Sequence, residues 1–243
     1  MIDTAPWGAI VVGRLGGGHR GEVYEVRRGG ERLVARATRR GPESLDWELD
    51  LMEFLSANDF TVPATVPTDD GRRHVDGVVV QTWLPGGAPS AYDWPAVGKE
   101  LTRLHTLTTG WPQRPGFAST RDLLTVDHGG DVDLTAMPPE AVRACRTAWA
   151  AMTGPHTVVH GDPCEPNVRV TEAAIGLLDW DEARVDHPDL DLADLPGIDL
   201  PRERNHPARS AVDAWEAAAG WQLEPRYARR RLAELTSRPE WSV

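Results

Sequence analysis

Cysteine is scarce in this chain of 243 residues. Cys145 and Cys164 are the only two, which excludes a disulfide framework and any cysteine-based zinc spacing. No apolar run approaches the ~18 residues that a membrane helix requires, and no basic-then-apolar leader opens the chain. A soluble, cytoplasmic protein is expected. The ten tryptophans follow no repeat period. Positive charge is also short: 26 Lys and Arg stand against 37 Asp and Glu, a net charge of −11. That balance argues against nucleic acid or an anionic membrane surface as partner and suits a cationic ligand. A Walker-type phosphate loop is missing too, because no Gly-Lys-Ser/Thr follows the glycine-rich stretch near the N-terminus.

What the chain does contain is a polar loop, His160-Gly161-Asp162-Pro163-Cys164-Glu165-Pro166-Asn167, between the β-branched runs Thr157-Val158-Val159 and Val168-Arg169-Val170. A third apolar run, 175–178, ends on Asp179, which is followed by Trp180. Asp162 and Asn167 in one loop, with Asp179 delivered by a nearby strand, gather oxygen ligands of the kind Mg²⁺ takes alongside substrate phosphates.

Taken in order, residues 9–12 read as a strand running into a glycine-rich turn that includes Gly16, Gly17, Gly18 and His19. Residues 23–26 return, and 33–37 form a third strand after Gly29-Gly30. Glycine in such a turn lets backbone N–H groups approach a phosphate chain. Residues 42–56 carry Leu45, Leu49, Met52 and Leu55 at helical spacing, with Pro42 in the first turn and Glu48 in the middle. Arg36, on the preceding strand, is the candidate partner for Glu48. Val78 to Leu84 reads as a buried strand, stopped by Pro85-Gly86-Gly87. That stop divides the chain into residues 1–84 and 85–243. The backbone at Thr82 and Leu84 is placed to offer hydrogen bonds to a purine edge. Helices are expected over 94–107, 140–152, 209–219 and 225–237, whereas 110–139 has little periodicity. His105 reads as a packed or capping residue, Cys145 as a small core residue, and the arginine run on the last helix as a solvated or paired face. From Asp179 to Asp199 eight acidic residues face one basic residue, Arg184. Those not used for metal or loop support could form an anionic acceptor site.

The order of these features resembles the aminoglycoside phosphotransferase family, among small-molecule kinases with a protein-kinase-like fold. The His-Gly-Asp…Asn loop followed by Asp179-Trp180 is the specific part, and residues 9–193 carry the resemblance. It implies a bilobal α+β fold, with a small antiparallel β-rich N-terminal lobe containing one key helix and a mainly helical C-terminal lobe. It implies Asp162 as the catalytic aspartate that accepts or orients the hydroxyl proton, Asn167 and Asp179 as Mg²⁺ ligands, and ATP or GTP as donor. Gly16, Gly17, Gly18, His19, Arg36, Thr82 and Leu84 fall on the nucleotide side, while Glu48, His160 and Asp191 support. The family's strand lysine stands here as Arg36, which keeps the charge with a different reach and can fork onto phosphate oxygens. The acceptor implied is a small cationic molecule, an aminoglycoside or a related amino-sugar or aminocyclitol. Alternatives are a kinase of choline, homoserine or a sugar, and a nucleotide-binding pseudokinase.

Overall fold

The computed structural model describes residues 2–16 and 21–238. Gly17, Gly18 and His19 lie outside the described residues. In chain order the strands and helices are β1 (Ile10–Arg14), β2 (Glu22–Arg28), β3 (Glu31–Ala37), α1 (Pro42–Ala57), β4 (Thr65–Val66), β5 (Val78–Thr82), α2 (Trp94–Leu107), β6 (His128–Gly129), β7 (Val132–Asp133), α3 (Pro139–Ala150), β8 (Thr157–Val159), β9 (Val168–Val170), β10 (Ile175–Leu177), β11 (Arg184–Asp186), α4 (Asp189–Leu192), α5 (Arg202–Ala219) and α6 (Pro225–Thr236). They form two compact units. One comprises Met1–Pro89 and Cys164–Asp179; the other comprises Ser90–Pro163 and Trp180–Val243.

The first unit is built on an antiparallel five-stranded sheet in the order β1-β2-β3-β5-β4. Alternation along β3 divides its side chains between the two faces. Leu33 and Ala35 join Trp7, Val26, Val78 and Val80 in an apolar cluster on one face. Trp7 is fully buried there, its indole N–H donating to the Val66 carbonyl at 2.8 Å. The other face belongs to α1, whose Glu48 meets Arg36 and whose Met52 Sδ accepts from Gln81 at 3.5 Å.

The expected division after Leu84 differs from the compact units in two respects: the first unit continues to Pro89, and it takes in the β9–β10 hairpin. Backbone pairing accounts for the second. Gly87 and Val170 exchange N–H···O bonds of 3.0 and 2.9 Å, and Leu177 donates to the Thr61 carbonyl at 3.0 Å. Gly86 makes this approach possible, with φ +122° and space for no side chain: a Cβ there would lie 2.8 Å from the Val170 carbonyl oxygen.

The second unit is helical around an apolar cluster. Cys145, Ala148 and Trp149 of α3 pack with Ala211, Ala214, Trp215 and Ala218 of α5, and Leu235 of α6 joins them. The alanine face of α5 lets its neighbours come close. This helix begins at Arg202, seven residues before the expected start at 209, and contains Pro207. β8 and β11 pair antiparallel, with Val159 opposite Arg184 and Thr157 opposite Asp186. β11 is too short, and Arg184 and Asp186 too polar, for its strand character to show in the sequence.

Candidate active site

In the first unit, Arg36 and Glu48 form a buried ion pair, with Glu48 wholly inaccessible and Arg36 8% exposed. Asn167 closes a short 3₁₀ turn, its N–H donating to the Cys164 carbonyl at 2.9 Å, and leads straight into β9. Pairing of Val168 with Leu177 continues one step further, where the Leu178 N–H donates to the Asn167 carbonyl at 2.8 Å. The hairpin therefore brings Asn167 and Asp179 to the same end. Asp179 sits at φ +59°, in the left-handed region that a non-glycine residue rarely adopts. Such a conformation costs on the order of 1–3 kcal/mol and persists where surrounding structure imposes it, commonly at functional sites.

One amide oxygen and one carboxylate make a hard-donor pair. They fit a divalent cation such as Mg²⁺, which takes few protein ligands and completes its shell with phosphate oxygens and water. Among the described residues no cluster of three or more His, Cys, Asp or Glu offers a competing metal site. Gly16 lies on the turn after β1 and is exposed. At Thr82 the N–H donates to the Ala64 carbonyl at 2.9 Å, and the Oγ accepts from the Ala64 N–H. That N–H is committed to Ala64. Leu84 lies beyond the strand, and among the described residues its backbone makes no such bond.

In the second unit, Asp191 organises the loop that carries Asp162. Asp191 Oδ2 accepts from the His160 N–H at 2.8 Å, and Oδ1 from the Gly161 N–H at 2.9 Å. His105 Nε2 lies 2.8 Å from Oδ2. Burial pushes the Asp191 carboxyl upward, but the hydrogen bonds from His105 and the Gly161 N–H outweigh it and hold the group below the usual carboxylate range. An ionised carboxylate only accepts, so His105 is the donor. The Asp162 N–H donates to His160 Nδ1 at 3.3 Å, and the His160 ring packs on Trp180 with centroids 4.7 Å apart. Gly161 has φ +90°, and a Cβ there would meet the Glu182 carbonyl oxygen at 2.6 Å.

Several supporting residues escaped sequence reasoning. His105 stands 86 positions from Asp191, and no motif beside it announces the pair. The stretch after Pro112 lacks periodicity yet braces the segment that follows Asp179. Gln113 mimics a strand neighbour, exchanging two hydrogen bonds with the Val185 backbone at 2.8 and 2.9 Å. Arg114 is 1% exposed and aims Nη1 at the carbonyls of Trp180, Asp181 and Ala183, at 3.0, 3.0 and 3.1 Å. Thr120 gives its N–H and hydroxyl to Asp186. A buried arginine in a proline-flanked loop is the one feature that could have drawn notice, since an unpaired buried charge is costly.

Comparison with known proteins adds a family to this geometry. No curated protein matches by sequence. Solved structures do resemble the fold. A microcompartment-associated aminopropanol kinase aligns over 96% of this chain and 92% of its own, at TM-score 0.68 and 18% identity. A putative fructosamine-3-kinase from Thermobifida fusca YX-ER1 aligns over 93% and 91%, at TM-score 0.61 and 17% identity. The aminoglycoside phosphotransferase APH(4)-Ia, in a ternary complex of a thermostable mutant with ADP and hygromycin B, aligns over 92% and 91%, at TM-score 0.62 and 12% identity. The sequence profile of the phosphotransferase enzyme family APH matches residues 11–235, nearly the whole chain. The chain belongs to that phosphotransferase family, and with it to the small-molecule kinases of protein-kinase-like fold.

Proposed function

We propose that this protein transfers the γ-phosphoryl group of ATP to a hydroxyl of a small amine-bearing molecule, an amino-sugar or aminocyclitol compound of the aminoglycoside type. The observation that carries the reading is the Asp191 brace. Two backbone N–H groups on one buried carboxylate hold the loop directly before Asp162. That loop leads, within five residues, to Asn167 at the end of the β9–β10 hairpin it shares with Asp179.

In this reading Asp162 orients the acceptor hydroxyl and takes its proton as the O–P bond forms, a task that needs hydrogen-bond reach and an ionised carboxylate. Asn167 and Asp179 hold Mg²⁺, which supplies neutralisation of the phosphate charge. Arg36, fixed by Glu48, provides a guanidinium for the phosphate chain. The Leu84 backbone serves the purine. The amine preference is supported by the aminopropanol kinase and the aminoglycoside phosphotransferase among the structural neighbours. A binding module without turnover is the second reading, and the arginine in place of the strand lysine is what favours it.

The test is acceptor-stimulated ADP release over a panel of amino sugars, aminoalcohols and neutral sugars, with Asp162→Ala as control. Turnover with amine-bearing acceptors that vanishes in Asp162→Ala is expected. ATP binding with no stimulated release across the panel would favour the binding module. Full turnover in Asp162→Ala would remove Asp162 from the chemistry.

A further inference from the structure

The second unit contains an open cleft of about 550 Å³ lined by three arginines. Arg202, Asn205, His206 and Arg209 line it from α5; Arg238 comes from just beyond α6, and Asp199 is its one carboxylate. The spacing 202, 205, 206, 209 is that of a single helix face. Arg204, on the neighbouring flank of the same turn, is spent on Asp189.

Two of the cleft's guanidiniums are held from behind. Arg209 reaches Asp194 through Nε at 3.1 Å. Arg238 grips Asp213, a residue 2% exposed, through Nε and Nη2. Each pairing fixes the guanidinium plane and leaves further N–H donors without a partner among the described residues. Arg202 has no ion-pair partner at all among them, and the Asn205 Oδ1 atom is buried with no hydrogen bond. A guanidinium fork matches the paired oxygens of phosphate and carboxylate groups.

We infer that this cleft is a binding site for the phosphate or carboxylate group of a small molecule. The site is separate from the Asp162 loop and does not depend on the kinase reading. Arg202 brings an uncommitted guanidinium, and Arg209 and Arg238 keep N–H donors beyond those given to Asp194 and Asp213, so the cleft offers hydrogen-bond donors to a small anion.

The probe is inorganic phosphate, followed by isothermal titration calorimetry and by thermal unfolding, with sodium chloride at matched ionic strength as control. The variant is Arg202→Glu, at an exposed position whose side chain makes no hydrogen bond or ion pair among the described residues. Wild type should bind phosphate saturably and melt at higher temperature with phosphate than with chloride. Arg202→Glu should weaken binding by about tenfold or more, the loss of one charge-assisted contact. With an acceptor found in the panel, a phosphate-induced rise in acceptor KM that disappears in Arg202→Glu assigns the anionic group to the acceptor. Binding that leaves acceptor KM unchanged assigns it to a free anion. Equal effects of phosphate and chloride, or unchanged binding in Arg202→Glu, would overturn the inference. A protein that binds phosphate here yet turns over no acceptor would instead refute only the kinase reading.

Discussion

Replacing Asp191 by Asn tests the brace beneath the Asp162 loop with almost no change in shape. The aspartate presents acceptors only: Oδ2 serves the His160 N–H and His105, and Oδ1 serves the Gly161 N–H. An asparagine can keep one oxygen, best placed where it serves His160 and His105. Its NH₂ group then confronts the Gly161 N–H, donor against donor, in a buried position. One unsatisfied buried donor costs about 1–3 kcal/mol, so Asp191→Asn should lose that much in urea unfolding at pH 7. Asp191→Ala strands all three donors and should lose more. The pH dependence supplies a second reading. Unfolded aspartate titrates near ~3.9, and folded Asp191 titrates below that. Its contribution is therefore fully present above about pH 4 and is lost as pH falls through the folded value. The wild-type advantage over Asp191→Asn should shrink in acid for this reason. Because the loop positions Asp162, a shift of about 1 Å would lower kcat by roughly 10²-fold. Unfolding free energies within about 0.5 kcal/mol of each other at pH 7 would refute the reasoning, as would a gap that stays constant down to pH 3.

Other perturbations follow from single contacts. Glu48→Ala leaves the Arg36 guanidinium buried without its carboxylate and should cost about 3–5 kcal/mol in chemical unfolding; Arg36→Lys, which keeps the charge, should retain nucleotide affinity by fluorescence titration. Gly161→Ala forces a left-handed conformation and a 2.6 Å approach to the Glu182 carbonyl, so it should lower the melting temperature and abolish turnover. Cys145 is buried, and burial pushes its thiol up to about 12. A thiol reagent at pH 8 should therefore label Cys164 alone in the native protein and both cysteines in urea.

Local pattern was legible where local physics decides the outcome. The spacing of Leu45, Leu49 and Met52 defines α1, and that of Val97, Leu101 and Leu104 defines α2; both helices end within a residue or two of expectation. Glycine and proline mark the turns after β2 and β5. The Asp162–Asn167 loop stood out because its residue types suit oxygen-ligand chemistry. What stayed hidden depends on partners remote in sequence. The β9–β10 hairpin joins the first unit through Thr61 and Gly87, and nothing in 164–179 names those residues. The start of α5 was obscured by Pro207, which removes a donor inside a helix that tertiary packing of its alanine face nevertheless maintains. The availability of the Thr82 amide could not be read either, because the carbonyl that takes it belongs to Ala64, in an extended stretch before β4.

The acidic run between Asp179 and Asp199 shows why composition is a poor guide to the charge of an acceptor. Counted as letters, eight carboxylates against one guanidinium suggest a negative wall. In the folded chain Asp186 accepts from Thr120, Arg184 and the His187 N–H. Asp189 holds Arg204, Asp191 holds the Asp162 loop, and Asp194 holds Arg209 and Arg231. Four of the eight are thus consumed by partners that lie elsewhere in the chain, and Asp199 faces a cleft rich in arginine. Charge spent on structure attracts no substrate. Neutralising Asp189 or Asp194 should therefore lower stability in urea unfolding and leave acceptor KM unchanged.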